Sequence, residues 1–215
     1  NFILGICLSF SLPPYNIYLT NFFVFPILFI TLTLTKNLKS KNFFIGWVFG
    51  FGYFISNLYW ITNSLSFDDQ FKKFIPLALI LVPGFLAIFF GIATFILSYF
   101  NIKKNFSSIL IFSLIFAIIE FFRGYALTGF PWNLFVYSIS ELSNILYILS
   151  YIGTYSLNLL LITSFLLPLI FLFNLSNTFK VGFFSVILFT IIVINNYCNK
   201  KIEENHLSKE LDISI

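Results

Sequence analysis

Residues Glu120–Ser138 read EFFRGYALTGFPWNLFVYS. A carboxylate and a guanidinium stand three positions apart at the end of an apolar run. A glycine, a short uncharged segment and a Gly-Phe-Pro-Trp corner at 129–132 follow. Ionisable groups at a helix end in lipid cost a few kcal/mol unless they pair or reach the interface. Spacing of three puts Glu120 and Arg123 on one helical face, where they can pair. Pro131 cannot continue a helix, and its ring biases Phe130 to an extended conformation. The stretch therefore reads as the end of a membrane helix turning back on itself, with material of the same apolar kind on either side.

Outward from this corner the chain is almost uncharged. Of its 215 residues 59% are hydrophobic and 9% charged, and the mean hydropathy is +0.97. Soluble domains carry roughly 25% charged residues. Residues 1–35, 42–67, 74–102, 142–179 and 181–199 contain no charge. Apolar runs of about 18 residues or more are transmembrane candidates. Because the runs are continuous and do not alternate with period two, a barrel is excluded. The expected fold is all-α, a polytopic transmembrane bundle of about seven spans: 1–12, 17–35, 43–62, 75–100, 106–122, 144–173 and 181–198. The run 144–173 is long for one crossing, so it begins at the surface or tilts strongly.

No methionine occurs, so the chain is expected to be a fragment whose first helix is truncated. The bundle is expected over 1–198. The polar stretch 199–215 is expected to be a periplasmic linker leading towards a domain absent from the chain. Loops 36–42, 101–105 and 174–180 hold six lysines and no acid, whereas the alternate loops hold every Asp and Glu. The positive-inside rule places the lysine loops in the cytoplasm. Pro13-Pro14, Asp68-Asp69, the corner and the tail then share the opposite, periplasmic side of a bacterial inner membrane.

Several residues could carry chemistry. Arg123 offers a planar donor fork that suits an anionic headgroup, or it simply satisfies Glu120. Gly129, Phe130, Pro131 and Trp132 form either a plain loop with an interfacial tryptophan or a re-entrant segment, 130–140, that shapes a lipid entrance. In the second case Asn133 and Tyr137 supply its polar contacts. Gly46 and Gly50 are spaced for close helix packing. Trp60, at the outer end of the same helix, either lines the site with Trp132 or sits in the aromatic belt. Cys7 and Cys198 have no metal or disulfide spacing, and His206 lies in the polar tail. No catalytic, cofactor-binding or metal-ligating residue is expected within the chain.

Glu120, Arg123, Gly124, the run Thr128-Gly129-Phe130-Pro131-Trp132, and Tyr137-Ser138 resemble the pattern of the apolipoprotein N-acyltransferases. Val136 stands where that family usually has glycine. Gly46 to Trp60 resembles the family's third helix, and Pro13-Pro14-Tyr15 its early Ser-Pro-Tyr turn. The resemblance implies a membrane bundle that carries a periplasmic nitrilase-like domain with a Glu-Lys-Cys triad. In such an enzyme a cysteine thiolate takes an acyl chain from a phospholipid and passes it to the α-amino group of a diacylglyceryl-cysteine. Phospholipid and diacylated apolipoprotein are the implied partners, for a monomer that binds no nucleic acid and uses no cofactor. The 215 residues alone, lacking the triad, are expected to be inactive. Half of a secondary transporter and a non-catalytic membrane scaffold are the alternatives. The first predicts midplane charges and repeated broken helices, and the chain has neither.

Overall fold

The computed structural model describes residues 1–35, 38–126 and 129–173, together with 176–178, 180–182, 185 and 196; the side chains of 143–147 are excepted. Among the described residues every regular element is helical. The helices are α1 (Phe2–Ser9), α2 (Asn21–Leu34), α3 (Lys39–Asn57), α4 (Ile61–Ser66), α5 (Asp69–Lys72), α6 (Ile75–Leu97), α7 (Phe106–Tyr125), α8 (Ser143–Ile152) and α9 (Thr154–Leu166). Short 3-10 turns occupy Tyr18–Thr20, Phe135–Ile139 and Leu167–Leu172.

Among the described residues three stretches are long and apolar enough to cross a membrane: Ile75–Leu97, Phe106–Tyr125 and Thr154–Leu172. A shorter apolar helix runs over Tyr18–Leu34. The expected first span contains only the eight-residue α1. The expected span 181–198 lies outside the described residues, apart from scattered positions, and the tail 199–215 and Thr128 lie wholly outside them.

Two expected boundaries are corrected. The third span was placed at 43–62, but α3 starts among the lysines at Lys39 and stops at Asn57. Leu58 breaks the helix, and Trp60 begins a separate short element. Uncharged sequence on both sides of this break hides it from a hydropathy reading. The long run 144–173 is also not one helix. Gly153, at φ 77°, separates α8 from α9. Only glycine takes that backbone conformation without cost.

The bundle is built on α3, which packs between α1 and α6. A Cβ added at Gly46 would overlap the Thr94 side chain and the Phe90 carbonyl, and one at Gly50 would press on Phe90 and Ala87. The expected small-residue face therefore meets α6. On the α1 side, Gly5 lies against the Phe49 carbonyl and Gly52 against the Phe2 carbonyl, each too close for a side chain. Small residues on both helices let backbones touch where lipid offers no hydrophobic drive to associate.

Rings fill the space between the helices. Phe90 of α6 contacts Phe49, Tyr53 and Phe54 of α3 and Phe116 of α7, with centroids 5.2–5.9 Å apart. Phe25 of α2 stacks on Phe165 of α9 at 5.6 Å. At the lysine end, Lys39 Nζ lies 3.9 Å over the Tyr99 ring, so the start of α3 meets the end of α6. There the Thr94 hydroxyl donates to the Asn42 carbonyl at 2.7 Å, and Thr35 hydrogen-bonds the Asn42 side chain. The other end of α3 faces the Gly-Phe-Pro-Trp corner.

Candidate functional site

Helix α7 delivers the charged pair. Its start is capped by Asn105, whose side chain accepts the Ser108 amide at 2.9 Å. Arg123 stands in the last turn, where a cation suits the helix dipole. The chain leaves the helix at Ala126 in an extended conformation and returns at Gly129, whose φ is +71°. The Phe130 amide then donates back to the Arg123 carbonyl at 3.1 Å.

Glu120 and Arg123 pair at 3.1 Å, with both side chains fully removed from solvent. The rest of the guanidinium grips main chain. Its Nη1 donates to the Phe130 carbonyl at 2.8 Å and to the Trp132 carbonyl at 2.9 Å. The Phe54 ring lies 5.3 Å from Cζ. Glu120 spends its second oxygen on Asn158 of α9, whose Nδ2 donates at 2.7 Å. The same Asn158 accepts the Val136 amide through Oδ1 at 2.9 Å. A charged pair in a dry interior is tolerable only when its remaining hydrogen-bonding positions are filled, and here neighbouring main chain and an amide fill most of them.

Further bonds hold the corner from outside this network. The Tyr53 hydroxyl donates to the Asn133 carbonyl at 3.0 Å. Asn133 itself has φ 58°, a left-handed conformation that asparagine adopts more readily than most residues. Ser138 donates to the Phe135 carbonyl at 2.7 Å and accepts from Asn21 of α2 at 3.0 Å. Below the 3-10 turn, Phe135 enters the core. Its ring lies 4.8 Å from Phe25, 5.7 Å from Phe90 and 5.8 Å from Tyr53. Val136 is buried with Leu134, Ile139 and Leu157. The residue that departs from the usual glycine is thus an apolar contact with α9.

Above the corner lies an open cavity of about 690 Å³. Pro131, Trp132, Asn133 and Tyr137 form one wall; Asn57, Tyr59 and Trp60 form another; Pro13, Pro14 and Tyr15 close a third side. Trp60 and Trp132 meet edge to face at 6.2 Å. Burial pushes the Tyr137 phenol above its ordinary range; Arg123 opposes this and Glu120 adds to it, so the hydroxyl stays neutral. Beyond the rim, Asn16 donates to Glu141, tying the Pro13-Pro14 turn to the segment after the corner.

The structure therefore divides the residues singled out in the sequence. Trp60, Pro131, Trp132, Asn133 and Tyr137 line one cavity. Gly129 and Phe130 form the turn behind its wall. Glu120 and Arg123 stand behind that turn and reach the cavity only through the backbone they hold. The sequence reading missed Asn158, Tyr53 and Phe135. Asn158 had a signal, a lone amide in the uncharged run 154–172, but its partners lie 22 and 38 positions away.

The comparisons with known proteins bear on the same stretch. The profile of the family described as Apolipoprotein N-acyltransferase N-terminal domain matches residues 4–167. The chain is 33% identical over 178 residues to an apolipoprotein N-acyltransferase of Brucella melitensis, covering 78% of this chain and 33% of that protein. It is 32% identical over 179 residues to one of Rhodopseudomonas palustris, covering 81% of this chain and 33% of that protein. Identity to one of Sinorhizobium medicae is 30% over 176 residues, again covering 78% of this chain and 33% of that protein. The chain thus spans about a third of the length of these curated relatives.

Proposed function

We propose, because the chain belongs to the apolipoprotein N-acyltransferase family, that its cavity admits membrane lipid to an enzyme acylating lipoproteins. On this reading the bundle anchors a nitrilase-like catalytic domain outside these 215 residues. Acyl transfer from a phospholipid to the α-amino group of a diacylglyceryl-cysteine then takes place on that domain. The observation that carries the reading is the composition of the lining. The family-like corner and the segment that follows α3 converge there, and each brings a tryptophan. Trp and Tyr are suited to such a place, since an amphipathic ring serves both the apolar and the polar side of a lipid boundary.

In this reading Glu120, Arg123 and Asn158 are positioning residues. They fix the main chain of 130–136 so that Trp132, Asn133 and Tyr137 face the cavity. Because Trp132 is 58% exposed, removing its ring leaves the core intact. In the full-length enzyme Trp132→Ala should slow formation of the thioester on the catalytic cysteine. A drop of about ten- to a hundred-fold, the range expected of a misplaced substrate, is the expected result, with normal amounts of folded protein in the membrane. Trp132→Phe should lose much less. Wild-type loading rates in both variants would reduce the corner to a structural feature.

The lysine distribution supports an orientation with loops 36–42, 101–105 and 174–180 in the cytoplasm. In the fold Lys39 lies at one end of α3, and the cavity residue Asn57 lies at the other. The cavity then opens on the periplasmic side of the bacterial inner membrane. Single cysteines, introduced after replacing Cys7 and Cys198, test this. An impermeant thiol reagent applied from the periplasm should label position 15 and spare position 39; the reverse pattern would invert the topology.

A further inference from the structure

We infer that the cavity holds the uncharged acylglycerol part of a membrane lipid and leaves the phosphate outside. This rests on the reading of the cavity as a lipid site and adds which part of the lipid it recognises. Among the described residues, none that lines the cavity carries a charge. The guanidinium behind the wall is fully buried; it spends Nη1 on the Phe130 and Trp132 carbonyls and Nη2 on Glu120, and its Nε, which has no partner among the described residues, is buried as well. A phosphate is normally bound by a cation within reach or by a nest of backbone amides. The charge nearest in sequence to a lining residue is Glu141, beside Ser140, and it is an anion. The charge pattern at the rim therefore disfavours phosphate.

The polar groups of the lining suit a neutral partner. Ser9 donates to the Ile6 carbonyl at 2.7 Å, Ser56 to the Gly52 carbonyl at 2.9 Å, and the Asn57 amide to the Tyr53 carbonyl at 2.9 Å. These donors serve their own helices. The remaining polar side chains, the Asn133 amide and the Ser140 hydroxyl, are neutral, and beside them lies aromatic surface from Tyr15, Tyr59, Trp60, Trp132 and Tyr137. Such rings bury carbon on their faces and offer one O–H or N–H at an edge. An ester carbonyl flanked by methylenes has the matching chemistry: a neutral acceptor set in apolar surface. The volume of about 690 Å³ falls within the range of about 300–1,000 Å³ usual for small-molecule sites. That is room for a glycerol diester and the first carbons of its chains.

Native mass spectrometry of the detergent-solubilised chain tests this with three probes carrying identical oleoyl chains: dioleoylglycerol, dioleoylphosphatidylglycerol and dioleoylphosphatidylcholine. Ser9→Trp fills the cavity from α1, and Ser140→Trp fills it from the exposed rim should the first variant fail to fold. Binding lost in these variants is binding at the cavity. All three probes should bind there with dissociation constants within about threefold of one another, a free-energy spread below about 0.7 kcal/mol. Raising salt from about 50 to about 500 mM, which screens exposed charges, should not weaken them. Cavity-dependent binding of the anionic lipid more than about tenfold tighter than that of dioleoylglycerol, or lost on raising salt, would overturn this inference and leave the lipid-site reading standing. If none of the three lipids binds in a cavity-dependent way, the lipid-site reading falls and this inference with it.

Discussion

Glu120→Ala should leave little folded protein, because it strands Arg123 in a dry interior. Both side chains are inaccessible to solvent, and the pair is made at 3.1 Å. Removing one partner of a buried pair costs about 3–5 kcal/mol, mostly through the uncompensated charge left behind. Arg123→Ala should cost a similar amount and also release the Phe130 and Trp132 carbonyls. Arg123→Lys should recover only part of this, since a point charge does not reproduce the fork. The double variant Glu120→Leu/Arg123→Met should be more stable than either alanine variant, as neither charge is then stranded. Denaturation by sodium dodecyl sulfate in mixed micelles, followed by tryptophan emission, gives the order. A double variant no more stable than the singles would mean that the network stabilises by shape and not by charge.

Asn158→Leu gives the second large effect. Leucine keeps the branched heavy-atom shape of asparagine, which makes it the apolar residue that fits the site best. Two hydrogen bonds vanish at once: one from Nδ2 to Glu120 and one from the Val136 amide to Oδ1. Each buried group left unsatisfied costs about 1–3 kcal/mol, and more when it is charged. The expected loss is therefore comparable to that of Glu120→Ala, although Asn158 is uncharged and lies on another helix. Combined with Glu120→Leu, Asn158→Leu should cost less than on its own, because the carboxylate that needed it has gone and only the Val136 amide is then left unpaired. Simple additivity in the micelle titration would separate Asn158 from the Glu120 network.

Much of this fold was legible in the sequence. The charge-free runs 74–102 and 106–119 became α6 and most of α7, since an uncharged apolar run has one stable form in lipid, a helix with its backbone satisfied. The pairing of Glu120 with Arg123 followed from their spacing, and the convergence of Trp60 and Trp132 was one of two readings open for Trp60. Hydropathy could not mark the break after Asn57 or the turn at Gly153, because both lie among residues as apolar as their neighbours. It could not assign the guanidinium either. A phosphate and a pair of carbonyls make the same demand on an arginine fork, and only the return of the chain at Phe130 and Trp132 distinguishes them. The 33 phenylalanines looked like a bias of composition. Phe135 nevertheless has a specific place, touching Phe25, Tyr53 and Phe90 beneath the corner.

Arginine and asparagine hold the corner by its peptide groups: two carbonyls, at 130 and 132, and one amide, at 136. Every residue type has a carbonyl, and all but proline have an amide. The clasp is therefore indifferent to which side chains stand at 132 and 137, while those same side chains make up the wall; position 133, at φ 58°, is restricted by its backbone instead. Anchorage and recognition are thus separately mutable. A lineage, or an engineer, can rewrite what the wall prefers one position at a time without renegotiating how the loop is held.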